Sequence, residues 1–146
     1  MKLMIAGSRT ITDFNLENYI SNDVELIISG GAKGIDTLAE KYADKHNLSK
    51  LVLRPKYNLY GKGAPLKRNE EMIDIADSIL VIWDKKSTGT KYTIDYAKKK
   101  SKPINVIIVN TEKWACKKNC KLILIIALFR DQARLTYKVP PRFWPY

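Results

Sequence analysis

Three short stretches of the chain hold residue types suited to gripping an anion. Gly7, Ser8 and Arg9 follow the first apolar run, and Ser29-Gly30-Gly31-Ala32-Lys33-Gly34 follows the second. Trp83 and Asp84 close the fourth, with Ser87-Thr88-Gly89-Thr90 just beyond. Gly30 and Gly31 let a backbone turn tightly and approach a ligand with no Cβ in the way. The free amides of a helix beginning near Gly34 favour phosphate, and Lys33 adds a mobile positive charge. Gly89 and Thr90 repeat the device at a second helix start and add a hydroxyl donor. Arg9 and Arg68 carry the planar fork that matches phosphate or carboxylate. One glycine-bearing turn is only a turn, whereas two glycine-bearing helix starts in one crevice point to an anion site.

Two acids accompany these donors. Asp36 lies two residues past Gly34, in the first turn of its helix. It either answers the helix dipole and nearby amides or serves a ligand, accepting a ribose hydroxyl or orienting Lys33. Asp84, at the end of the fourth strand, is the better acid for sugar contact or catalysis. Trp83 is placed to stack on a base, although a tryptophan that closes an apolar strand is as often core. His46 ends the second helix, on the wrong side of the sheet for the crevice, and is read as structural.

Several familiar chemistries are disfavoured. GGAKG is not G-x-G-x-x-G and follows the second strand rather than the first, against an ordinary dinucleotide fold. There is no Gly-Lys-Ser/Thr for an ATP-binding loop and no Gly-x-Ser-x-Gly nucleophile elbow. Cys116 and Cys120 are spaced C-x3-C, and the one histidine lies 70 positions before the first of them. That is neither a disulfide scaffold nor a zinc cluster, so no metal and no resident cofactor are expected.

Positioning these residues requires a regular frame. Strands are expected at 2–6, 25–28, 51–53, 78–83 and 104–109. Ile35, Leu38, Ala39, Tyr42 and Ala43 recur at helical spacing, and further helices are expected over about 65–76 and 90–100. Leu16, Tyr19 and Ile20 share a helical face in the segment after the first strand, and residues 54–63, with Pro55, Gly61 and Gly63, read as a loop. Short strands apolar on both faces, separated by helices, mean a parallel sheet covered on both sides. Right-handed crossovers then give an α/β fold, a Rossmann-like doubly wound parallel sheet of about five strands.

The chain has 146 residues and a formal charge of +11. The rhythm stops near residue 110, which divides it into a domain over 1–110 and a basic, aromatic extension over 111–146. That extension holds eight basic and two acidic side chains, so it carries more than half of the net charge. Its apolar run at 122–129 is far shorter than the roughly 20 residues of a membrane-spanning helix. The first residues lack the length and cleavage pattern of a signal peptide. A cytoplasmic protein with no membrane partner is therefore expected. The run at 122–129 is also expected to cover a sheet edge or helix face, across a homodimer or within one subunit.

The text GSRTITD, ISGGAKGIDTLAEKYA and GKGAPLKRNEEMIDIADSILVIWDKKSTGTKYTIDYAKKKSKPINVI resembles the SLOG superfamily of Rossmann-like nucleotide-binding domains, most of all its YspA/YpsA-related branch. The likeness covers residues 1–109. It implies a site at Gly7, Ser8 and Arg9, along Ser29 to Asp36, at the Arg68-Asn69 pair and at Gly89-Thr90. The superfamily includes sensors of nucleotides and ADP-ribose-type molecules and phosphoribohydrolases of the cytokinin-activating kind. It also includes the single-strand DNA-binding protein of natural transformation, and its members commonly dimerise. The phosphoribohydrolase pattern P-G-G-x-G-T-x-x-E departs here, because Thr93 stands at the glutamate position. Asp95 lies two residues on, about 200° around a helix.

Three functions are thus in view. The first is binding of a phosphate-bearing nucleotide or nucleotide-derived small molecule, as a sensor or carrier. The second is cleavage or transfer of an N-glycosidic bond of nucleoside monophosphates, with Asp84 or, next, Asp36 near the anomeric carbon. The third is binding of single-stranded DNA through the net positive charge.

Overall fold

A computed structural model of the chain describes residues 1–110. The extension at 111–146, its apolar run, both cysteines and any subunit pairing through it lie outside the described residues.

Five strands form one parallel sheet: β1 (Lys2–Gly7), β2 (Leu26–Ser29), β3 (Ser49–Val52), β4 (Ser78–Trp83) and β5 (Ile104–Ile108). Their spatial order is β3-β2-β1-β4-β5. The helices are α1 (Ile35–Lys45), the one-turn α2 (Tyr57–Tyr60), α3 (Ala64–Ile75) and α4 (Thr88–Lys99). The strands alternate between two buried faces. Leu3, Ile5, Ile27, Leu80 and Ile82 pack on one side with Ile35, Ala39 and Ala43 of α1. Met4, Ala6, Ile28, Ile79 and Val81 pack on the other with Met72 and Ile73 of α3 and Ile94 and Ala97 of α4. Burial of both faces is what an all-parallel sheet requires, and the arrangement is doubly wound and Rossmann-like.

The segment between β1 and β2 differs from expectation. Residues 8–25 form turns instead of a helix, yet Ile11, Leu16, Ile20 and Val24 are buried in the core. The apolar spacing recorded burial, while local polar groups took the backbone. The Glu17 amide donates to Asn15 Oδ1 (2.9 Å), and i→i+3 bonds run from the Tyr19 amide to the Leu16 carbonyl (3.0 Å) and from Val24 to Ser21 (3.3 Å). Short polar side chains compete with helix in this way. Glu17 then ties the segment to the end of α1, through Lys45 (2.5 Å) and His46 (3.1 Å). His46 also stacks on Tyr42 with ring centroids 4.2 Å apart, away from the cavities described below.

Smaller differences have local causes. β3 starts at Ser49 rather than 51, because an exposed edge strand is set by pairing of Leu26 with Ser49 and needs no apolar side chain there. Within the expected loop at 54–63 lie α2 and a 3-10 turn at Gly61–Gly63. α4 begins two residues earlier than expected, at Thr88, where Ser87 caps it.

Candidate functional site

From β1 the chain winds outward through β2 to β3 on one side, and then returns to build β4 and β5 on the other. The strand order therefore reverses between β1 and β4, the place where open α/β sheets hold ligands. A cavity of about 590 Å³ opens there. Gly7 borders it at the end of β1, Arg9 and Thr10 just after it, Asp84 and Lys86 after β4, and the first turn of α4 closes one side.

The β4–α4 loop is organised by Asp84. Its Oδ1 accepts the amides of Lys86 (2.9 Å) and Ser87 (2.8 Å), and its Oδ2 accepts the Thr10 hydroxyl (2.8 Å). The Asp84 amide in turn donates to Ser8 Oγ, 3.1 Å away, which locks β4 to the buried Ser8 after β1. Burial of the carboxyl acts to raise its pKa, but hydrogen bonds from Ser87, Thr10, Ser8 and Lys86 outweigh it and hold the value at about 2. Asp84 is thus a fixed anion at neutral pH. Ser87 caps α4 by accepting the Thr90 amide (3.4 Å) and the Thr90 hydroxyl (2.9 Å). The amides of Thr88 and Gly89 precede any carbonyl of their own helix, so they remain as donors at the cavity they line.

The start of α1 is built differently. Gly34 adopts φ +83°, and a Cβ there would lie 2.8 Å from the carbonyl oxygens of Ser8 and Arg9. The helix end is thereby pressed against the β1 loop. Asp36 folds back and accepts the Ala32 amide at 3.2 Å, so a carboxylate of the protein already faces this helix start. Burial raises the Asp36 pKa, opposed by that amide and by the charge of Arg68. Ser29 is fully buried and donates to Glu40 Oε1 (2.9 Å) while accepting the Gly31 amide (3.2 Å).

Arg68, on α3, reaches across to the ends of β2 and β3. Its Nη1 donates to the carbonyls of Gly30 and Leu53, and its Nε donates to Asn69 Oδ1 (2.9 Å). A Cβ on Gly30 would collide with this guanidinium and lie 2.7 Å from Asp36 Oδ2, which explains the glycine. Asn69 passes the connection on, donating to Thr93 Oγ1 (2.9 Å), which donates to the Gly89 carbonyl (3.0 Å). One chain of hydrogen bonds therefore runs from β2 through α3 to the first turn of α4.

A second cavity of about 430 Å³ adjoins the first, sharing Arg9, Ala32, Pro65 and Arg68. Of the residues singled out in the sequence, Gly7, Arg9, Asp36, Arg68, Asn69, Asp84, Ser87, Gly89 and Thr90 border the first cavity. Gly30, Gly31 and Lys33 border the second, together with the shared Arg9 and Arg68. Ser8, Ser29 and Gly34 support from behind. Trp83 borders neither: its indole N–H donates to the Ser87 carbonyl (3.0 Å) and its ring packs against the core on the α3–α4 side. Lys62, Lys86, Thr10 and Thr93 were not singled out as ligand contacts, yet all border the first cavity. Thr10 and Lys86 sit within two residues of motif positions, which is the one signal they carried.

Compared with models of known protein families and with curated proteins, the chain finds no match. The Rossmann-like topology and the geometry of the cleft are therefore what bear on function. Among the described residues no helix is long and apolar enough to cross a membrane, and no three His, Cys, Asp or Glu side chains group to hold a metal ion.

Proposed function

We propose that the first cavity binds a phosphate-bearing nucleotide or nucleotide-derived metabolite, and that the domain acts as a sensor or carrier. The observation that carries this reading is the open start of α4 at the switch-point cavity. Two unclaimed amides meet a rim where Arg9, Lys62, Arg68 and Lys86 outnumber Asp36 and Asp84. The volume lies within the ~300–1,000 Å³ range of small-molecule sites. The reading also agrees with the resemblance of the motifs to SLOG nucleotide-binding domains, whose Gly-Thr motif falls on Gly89-Thr90. Calorimetry with nucleoside mono- and diphosphates, ADP-ribose and NAD tests it. At least one of these should bind the folded chain, and binding by none would overturn the reading.

Binding without turnover is favoured over glycosidic cleavage. Both oxygens of Asp84 are engaged in holding the loop, by the amides of Lys86 and Ser87 and the Thr10 hydroxyl, and a carboxyl held at about 2 is no proton donor at neutral pH. Thr93, at the position of the phosphoribohydrolase glutamate, is buried and spends its hydroxyl on the Gly89 carbonyl. Asp36 is committed to the Ala32 amide. Incubation with nucleoside monophosphates should release no free base. The single-strand DNA reading draws on the net charge of +11, part of it in the extension outside the described residues, and on the resemblance to a single-strand DNA binder.

A further inference from the structure

The second cavity has walls of a different character from the first. Besides the shared residues it is bordered by the Gly30-Gly31 turn, Lys33, Pro55 and Tyr57. Tyr57 opens the one-turn α2 with 59% of its surface exposed and belongs to neither apolar cluster, so the ring does no work in the core. Pro55 and Pro65 stiffen the backbone on either side of it. The cations are divided between the cavities: Arg9 and Arg68 face both, Lys33 only the second, Lys62 and Lys86 only the first. Each cavity alone has the size that encloses a small organic ligand. A mononucleotide seated in the first therefore leaves the second to another chemical group.

We infer that the second cavity is a subsite for a second, heterocycle-bearing half of the ligand, joined through phosphate to the half in the first cavity. The inference rests on the nucleotide reading above and names the class of ligand. Arg9, on the shared wall, meets the linking phosphate as a planar, always-charged donor. Tyr57 offers the π-face on which the second base stacks, a contact that tolerates any base.

Calorimetry on the full chain tests this with one single-part probe, AMP, and two two-part probes. NAD joins its halves through a pyrophosphate, and the dinucleotide ApA through a phosphodiester. At least one two-part probe should bind about tenfold or more tightly than AMP, and the tighter of the two identifies the linkage. Tyr57→Ala should remove about tenfold of that affinity, as loss of one stacked base does. Tyr57→Phe should restore it, and AMP should bind all three proteins alike. If AMP binds and neither two-part probe binds more tightly, the second subsite is overturned while the nucleotide reading stands. Equal losses for AMP and the two-part probe in Tyr57→Ala overturn it as well. Binding of no probe to folded protein overturns the second subsite, and the nucleotide reading falls with it when the nucleoside diphosphates, the other monophosphates and ADP-ribose fail as well.

Discussion

The two helix starts that meet in this cleft look alike on paper and are unlike in space. Both follow a strand, both carry glycine and a hydroxyl or amine nearby, and both belong to helices of more than ten residues. At α1 the first turn carries its own carboxylate, Asp36, which answers the helix dipole and turns back onto the Ala32 amide ahead of the helix, while Ile35 and Thr37 border neither cavity. Arg68 spreads across Gly30 behind it. At α4 the corresponding acid, Asp84, stays in the loop before the helix and takes the amides of Lys86 and Ser87, leaving those of Thr88 and Gly89 unclaimed. A glycine-rich turn is therefore not by itself an anion site. The first turn of α1 carries a carboxylate of its own, whereas at α4 the acid stands ahead of the helix.

This contrast makes distinct demands on variants: changes around the α1 start should act first on stability, and changes at the α4 start on stability and binding together. The largest effect is expected from Arg68→Ala. It strips partners from the carbonyls of Gly30 and Leu53 and from Asn69, and should cost about 4 kcal/mol in chemical denaturation. Arg68→Lys should recover little, since a point charge cannot reproduce the fork. Gly34→Ala should cost about 3 kcal/mol, because its backbone region is open essentially to glycine and its Cβ would meet two carbonyls. An unchanged midpoint in either variant would break the view of α1 as a joint.

Acid titration probes the α4 side. The Asp84 pKa is lowered in the fold from 3.8 to about 2, so the folded state releases this proton more readily than the unfolded chain. The stabilisation is complete above about pH 4, fades as the pH falls, and is gone below about pH 2. It amounts to about 2 kcal/mol. Asp84→Asn should lose it at neutral pH and show a correspondingly flatter dependence between pH 4 and 2. The smallest effect is expected from Ser87→Ala, about 1 kcal/mol for a lost N-cap. That variant should nevertheless weaken AMP binding, by loosening the amides of Thr88 and Gly89, whereas a joint would show only the stability change.

Much of the frame was legible because a parallel sheet buries both faces, and continuous apolar runs such as Ile79–Ile82 announce it. Edge strand β3 was less so, since its place depends on backbone pairing with β2 rather than on burial. Residues 8–25 kept the apolar spacing of a helix without forming one, because periodicity reports which side chains are buried and not how the backbone between them is bonded. At the site, Arg9, Asp84 and the Ser87–Thr90 stretch were recognisable from residue type and position after a strand. The bond from Asp36 to the turn ahead of α1 depends on a side-chain rotamer closing back on Ala32, and the reach of Arg68 depends on α3 crossing the sheet. Neither is written in local sequence. Lys62 comes to the cavity from a turn that looked like plain loop, so nothing marked it.

The central claim is that a phosphate-bearing ligand lodges at the start of α4 and not at the start of α1. Backbone amide chemical shifts of the full chain, followed by NMR as AMP is added, test it directly. The amides of Thr88 and Gly89 should move most, saturating together, while that of Ala32, held by Asp36, should stay nearly fixed. Saturating shifts centred on Ala32 and its neighbours with α4 unmoved, or no shifts in folded protein at millimolar AMP, nucleoside diphosphate or ADP-ribose, would contradict the account.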